Sequence, residues 1–372
     1  MAGRLARPFV AAARPVARLR RPREDRLLVV QRILRLGDTF VARPALAALR
    51  GRFPGAELAV VCREAWAAVC EADSLVDRVI PAAAGLAGFR AAAREARAFG
   101  AATAYLLVPD RCSPYLAWLA GAREIVGYDY ASRGGALTRR VPPPLRANVP
   151  TFLYPEGAPP IGAADIWLRL VEPAAPTAER YPPFDPGAEA RRRAGERLEA
   201  AGLEGRRPLV ILHPGAANPS YKWREEAWAE AGGELLRRGA GAVVVTGGPA
   251  EGPAVAALVE RLASERAASA AGASVLETCA LIEAADVVVS LDTAPVHVAS
   301  TMGTPVVALY GPGEATMWAP VGVPHRLVQD EEAPCRGCKA ARCFQDRHYC
   351  MEAITPAAVS EAATELLEGR NA

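Results

Sequence analysis

The chain has 372 residues, 51% hydrophobic and 23% charged, which excludes a collagen, a coiled coil or a disordered chain and makes roughly two domains the natural division. Aromatic residues make up only 6%, which disfavours a nucleic-acid binder built on stacked aromatics. The net charge of +3 is uneven: residues 1–26 hold eight Arg against Glu24 and Asp25, leaving 36 basic and 39 acidic residues in the rest.

Residues 1–26 read as a basic, flexible leader. It lacks the apolar core of a secretory signal. No stretch approaches the ~20 apolar residues that cross a bilayer; the longest candidate, Cys112–Ala122, is flanked by Asp110, Arg111 and Arg123. A cytoplasmic chain is therefore expected, with a leader able to touch an anionic membrane surface.

Leu27–Val30 is an apolar run suited to a buried parallel strand. A loop through Gly37-Asp38 and a helix around Ala42–Arg50 follow, ended by Phe53-Pro54-Gly55. The rhythm repeats in strand Glu57–Val61, helix Leu86–Phe99, strand Ala101–Val108, helix Pro114–Ala120 and strand Glu124–Gly127. Residues 131–160 read as loops, and Ala163–Val171 as a helix. A second unit alternates in the same way: strand Leu209–Leu212, helix Arg224–Arg238, strand Ala242–Thr246, helix Ala254–Ala263, strand Ala285–Ser290, helix Ala294–Met302 and strand Pro305–Leu309. A last helix opens at Thr355-Pro356. The expected class is α/β, two doubly wound parallel-sheet domains facing each other across a cleft. Their limits are residues 27–172 and 208–354, with an interdomain stretch at 173–207 and a C-terminal helix at 355–372.

Ligands of such sheets bind at the carboxyl ends of the strands. At those ends stand the residues that carry chemistry. Gly37 permits a tight turn, and Asp38 is either a helix cap or a general base. His213-Pro214-Gly215-Ala216 with Lys222-Trp223 combines a strand end, a glycine loop, a cation and a helix start, a set that suits a phosphate. Gly247-Gly248-Pro249-Ala250-Glu251 is another strand-end loop, in which Glu251 could reach a ribose hydroxyl. Asp292-Thr293-Ala294 opens a helix whose first amides face an anion, with His297 on its first turn. No P-loop and no dinucleotide fingerprint occurs.

Arg35-Leu36-Gly37-Asp38-Thr39 with Pro44-Ala45-Leu46, His213-Pro214-Gly215 with Lys222-Trp223, Thr246-Gly247-Gly248, Asp292-Thr293 with His297, and Tyr310-Gly311-Pro312 occur in one order. In this the chain, from about residue 27 onward, resembles glycosyltransferase family 9, the ADP-heptose:lipopolysaccharide heptosyltransferases. The resemblance implies a GT-B fold, an inverting reaction and no cofactor or metal in catalysis. It implies a nucleotide-diphosphate sugar donor, ADP-heptose, and a lipopolysaccharide core or related lipid-linked glycan as acceptor, with no nucleic-acid partner. Asp38 would be the general base and Lys222 would meet the donor's phosphate and sugar. His213, Gly215, Gly247, Glu251, Asp292, Thr293, Ala294 and His297 would line the donor site. Gly37, Arg63, Arg133, Arg139 and Arg140 would serve an acidic acceptor. The His that often follows the Gly-Asp pair in inner-core enzymes has no counterpart in Thr39–Arg43. Rival readings are a sugar-nucleotide epimerase or hydrolase on the same scaffold, and a non-catalytic nucleotide-binding assembly protein.

Four cysteines, Cys62, Cys70, Cys112 and Cys279, are scattered and read as small core residues. The other four, Cys335-x2-Cys338-x4-Cys343-x6-Cys350, can close a tetrahedral structural zinc site; two disulfides or four free thiols are the alternatives. Similar cysteines occur in a subset of the resembled family, which implies a local fold element and not catalysis.

Overall fold

The computed structural model describes residues 22–32, 35–107, 110–129, 134–142 and 161–369. The chain divides into two compact units, residues 1–147 with 163–178 and residues 148–162 with 179–372. Among the described residues no helix is long and apolar enough to cross a membrane.

In the first unit, strands β1 (Arg23–Val30), β2 (Glu57–Arg63), β3 (Arg78–Ala82), β4 (Ala101–Leu106), β5 (Glu124–Tyr128) and β6 (Arg139–Val141) form a parallel sheet in the order β3-β2-β1-β4-β5-β6. In the second, β7 (Leu209–His213), β8 (Ala242–Val245), β9 (Ala267–Ser269), β10 (Val287–Leu291), β11 (Val306–Tyr310) and β12 (His325–Gln329) are ordered β12-β11-β10-β7-β8-β9. Both orders are the doubly wound 3-2-1-4-5-6 pattern, reversing once beside the first strand of each unit. This is the expected GT-B class of sheet. The central strands are apolar along their length because helices cover both faces: Leu27–Val30, Val287–Leu291 and Val306–Tyr310 are wholly buried.

Several elements differ from the sequence reading. Residues 23–26, assigned to the leader, form the charged half of β1. Arg26 pairs with Glu57 at 2.8 Å, its register partner on β2, and the Arg23 amide bonds the Gly100 carbonyl. An apolar-run criterion cannot detect a strand end held by ion pairs. Residues 139–141, expected as loop, are edge strand β6. Edge strands β3, β9 and β12 are likewise short or polar, and Pro81 interrupts β3, a position that only an edge tolerates. The interdomain stretch contains a helix, Ala188–Ala200. It buries only Ala190 and Ala194 and is tied to the helix Val275–Ala284 by Arg191–Glu283 at 2.7 Å and Arg197–Glu277 at 3.0 Å.

The predicted last helix runs over Pro356–Gly369, and the Thr355 hydroxyl accepts the Ala358 amide at 3.2 Å. Its Val359, Ala363 and Leu366 join Trp228, Leu235 and the β10–β11 valines in one core cluster.

A glycine immediately before β8 is fixed by close approach. A Cβ on Gly241 would lie 2.6 Å from the Arg207 carbonyl carbon and 2.7 Å from its amide nitrogen. Both are rigid backbone atoms. Gly241→Ala is therefore expected to destabilise the second unit by about 1–3 kcal/mol, as overpacking does; thermal denaturation measures it.

Candidate functional site

In the second sheet the order reverses between β7 and β10, and Ser290 of β10 lies opposite His213 of β7. A ligand of an open parallel sheet binds at this switch point. The strand ends on both sides therefore bring two of the predicted motifs together: His213-Pro214-Gly215 leaves β7, and Asp292-Thr293 leaves β10.

His213 Nδ1 lies 2.9 Å from Thr246 Oγ1, so the ends of β7 and β8 are joined by side chains. Burial lowers the His213 pKa to about 4, against the opposing charge of Glu251; the ring is neutral at physiological pH. The Glu251 carboxylate accepts the Gly248 amide at 2.7 Å. It rests on Gly215, where any Cβ would collide with it, and 3.3 Å from a Cβ built on Gly247. Gly215 is thus small because the carboxylate occupies the space of its side chain, whereas at Gly247 a Cβ would first meet Val255 Cγ2, at 2.7 Å.

Thr293 stands at the N-cap of the helix Ala294–Met302 in extended conformation, with Pro295 in the first turn. Its side chain does not cap the helix; Thr293 Oγ1 instead donates to the Leu291 carbonyl at 3.3 Å. The nine-residue helix ends at Gly303, whose φ of 76° closes it in the left-handed region. Asp292 packs on Gly313, where a Cβ would overlap its carboxylate. His297 is placed differently from the other donor candidates. It is buried, its ring centroid 6.4 Å from Tyr181 and 5.9 Å from Trp318. Burial lowers its pKa to about 4, and among the described residues Nδ1 has no hydrogen-bond partner.

Lys222 is exposed and closes the short 3-10 turn Pro219–Tyr221. The following Trp223 is buried and donates its indole N–H to the Ile354 carbonyl at 3.0 Å. The anchored Trp therefore fixes the loop from which the lysine projects.

In the first unit the reversal falls between β1 and β4. Asp38 is the third residue of the helix Leu36–Val41, and its carboxylate accepts the Arg35 amide at 2.9 Å. It is not the N-cap itself, yet it satisfies the amide of the residue that is. Burial raises its pKa above the usual carboxylate value, while the Arg35 amide and charge oppose the shift. Gly37 is buried beside it. Arg63 is exposed at the carboxyl end of β2. Arg139 and Arg140 lie on β6, paired with Glu124 and Asp129, each at 3.3 Å; they belong to a strand and not to a loop. Arg133 lies outside the described residues.

Residues 172–347 match the model of glycosyltransferase family 9 (heptosyltransferase). That match covers just under half of the chain, so the likeness to the family lies in its second half. Lipopolysaccharide heptosyltransferase 2 of Salmonella typhimurium (strain LT2) is 32% identical over 132 residues, 34% of this chain. The match spans 38% of that relative's length. A glycosyl transferase family 9 structure from Veillonella parvula DSM 2008 aligns with a TM-score of 0.78 at 23% identity, over 94% of this chain and 100% of that one. The E. coli ADP-heptose lps heptosyltransferase II structure aligns with a TM-score of 0.74 at 21% identity, over 93% and 100%. At these identities the structural likeness is one of fold.

The cysteines are not joined in disulfides. All eight are free thiols, and among the described residues no three His, Cys, Asp or Glu are placed to hold a metal. Cys335 and Cys350 are buried, whereas Cys343 is exposed and its sulfur lies 3.8 Å from the Arg347 carbonyl. Burial, then the neighbouring Cys335, Cys338 and Cys343, push the Cys350 thiol up to about 12. The four are gathered, with Cys335 and Cys350 in the core and Cys343 at the surface. Cys62, Cys70 and Cys279 are core residues as expected; Cys112 is not, being exposed beside the helix Ser113–Leu119.

Some residues at these strand ends carried no signal in the reading above. Gly313 and Glu314 continue the Tyr310-Gly311-Pro312 motif. Asp110, noted only as a charge beside an apolar stretch, accepts the Cys112 and Ser113 amides at 2.7 and 3.0 Å and pairs with Arg32 at 3.6 Å, next to the end of β4.

Proposed function

We propose that the chain is an inverting, metal-independent glycosyltransferase that moves heptose from ADP-heptose to a lipopolysaccharide core or related lipid-linked glycan. One observation carries the reading: at the switch point of the second sheet, the glycine loop after β7 and the helix start after β10 lie side by side. Open amides at a helix start attract an anion, so the site suits a diphosphate. The family match of residues 172–347 and the likeness to a lipopolysaccharide heptosyltransferase support heptose as the sugar.

In this proposal the first unit binds the acceptor and the second the donor. Asp38 takes the proton of an acceptor hydroxyl as its oxygen bonds to the sugar's anomeric carbon. The anomeric carbon–phosphate oxygen bond breaks with inversion, and the diphosphate leaves with the electron pair. Helix-start amides and Lys222 meet the charge that develops on it. Glu251 would orient the ribose, and exposed Arg63 would favour an acidic acceptor, with Arg133, Arg139 and Arg140 as weaker contributors. The enzyme would work in the cytoplasm, peripheral to the inner face of the membrane.

Lys222→Ala tests the donor half. A charge-assisted contact to phosphate is lost, so ADP affinity is expected to fall about tenfold or more, a change of about 1.4 kcal/mol or above. Calorimetric titration with ADP reads it. Unchanged affinity removes Lys222 from the site.

A further inference from the structure

The cysteine-rich segment reaches two of the strand-end loops through three consecutive residues. The Ala340 and Ala341 carbonyls accept the Ser220 hydroxyl and, at 3.3 Å, the Ser220 amide, in the turn that leads to Lys222. The Lys339 amide donates to the Pro312 carbonyl at 2.8 Å, in the loop after β11. Lys339 Nζ lies 2.5 Å from the Glu314 carboxylate. Glu314 is buried, at 4% exposure, and directly follows Gly313, the residue on which Asp292 packs.

Two features show that this placement is enforced. Lys339 has φ 56°, and among the described residues it and Ala263 are the non-glycine residues with positive φ. Such a conformation persists only where surrounding contacts over-determine it. Gly311 of the same loop is closed from the other side: a Cβ there would strike the Met351 sulfur and lie 3.3 Å from Cys350 Sγ. The cysteine-rich segment thus holds the β11 loop at both ends.

The charges give the arrangement a purpose. A diphosphate at the start of the helix Ala294–Met302 would approach Asp292 and the buried Glu314, two carboxylates on neighbouring loops. Like charges of this kind oppose the ligand, most strongly where water is scarce. We propose that Lys339 is an electrostatic positioning residue of the donor site, its charge offsetting Glu314 beside Asp292 so that the diphosphate of the donor can settle at the strand ends. The cysteine cluster then serves as the scaffold that delivers this lysine. The inference rests on the donor reading given above.

Charge and packing roles separate by comparing ADP with adenosine, which share the base and ribose and differ in the diphosphate. Wild type, Lys339→Met, Glu314→Gln and the double variant are titrated with both by calorimetry, with circular dichroism confirming the fold. Lys339→Met is expected to weaken ADP at least tenfold more than adenosine. Glu314→Gln is expected to leave ADP binding equal or tighter, and the double variant to return it to within about threefold of wild type. If Lys339→Met does not fold, Lys339→Gln, which also removes the charge, is titrated in its place. Equal losses for ADP and adenosine, or no loss for either, overturn the inference while the donor reading stands. Wild-type protein that binds neither ligand overturns the donor reading, and the inference falls with it.

Discussion

Replacing Asp38 by Asn is expected to cut turnover by about 10²-fold or more while leaving ADP affinity and folding intact. Asn keeps the shape of Asp, and its side-chain oxygen can still accept the Arg35 amide now bonded at 2.9 Å. It cannot take a proton from an acceptor hydroxyl. Burial raises the Asp38 pKa, which fixes the direction of two further effects. The basic form is lost at a higher pH than for an exposed Asp, so wild-type turnover should fall on acidification starting above the ordinary carboxylate range. A raised folded-state pKa also means that the stability contributed by the neutral carboxyl is present below the unfolded pKa and lost as pH rises through the folded one. Asn mimics the neutral form, so melting temperature at neutral pH should be unchanged or higher. Near-normal turnover in well-folded Asp38→Asn protein would leave Asp38 as a helix-start residue alone.

The largest stability effect is expected at a different pair. Arg43 is 1% exposed and forms a salt bridge with Asp73, which is also buried; Asp73 further accepts the Leu75 amide at 3.0 Å. Removing one member strands the other charge in the core. Asp73→Ala should destabilise the first unit by about 3–5 kcal/mol, the usual result of breaking a buried pair from one side. Replacing both residues with apolar side chains of similar volume should recover much of that loss, because no charge is then stranded. Chemical denaturation of the three proteins measures it. A loss below about 1 kcal/mol for Asp73→Ala would mean that Arg43 finds another partner. Arg43 opens the helix that follows the one bearing Asp38, so the same pair anchors the general-base candidate's surroundings.

The buried strands and long helices were legible in the sequence because burial on both faces writes itself as apolar runs. Helices Ala163–Val171 and Ala294–Met302 match the expected bounds. The edge strands were not legible. Their register is held by neighbours, and β6 is simply Arg139-Arg140-Val141. The helix Ala188–Ala200 was hidden for a related reason, since ion pairs to its neighbour replace most of an apolar stripe. At the site, the strand-end motifs were readable because a switch point must place its loops at carboxyl ends. What the reading could not supply was pairing across long sequence distances. Lys339 meets Glu314 across 25 residues, and His297 turns into an aromatic cluster with Tyr181 and Trp318. The four cysteines had suitable spacing for a metal; Cys335 and Cys350 are buried, Cys338 is half-buried and Cys343 is exposed.

Acceptor-dependent release of ADP tests the account most directly. Purified protein is incubated with ADP-heptose, with and without a truncated lipopolysaccharide core lacking its next heptose, and both ADP and the glycolipid's mass are followed. ADP release is expected only when the core is present, matched by a heptose added to the glycolipid. Donor turnover independent of the core, or donor binding with no turnover under either condition, would contradict it.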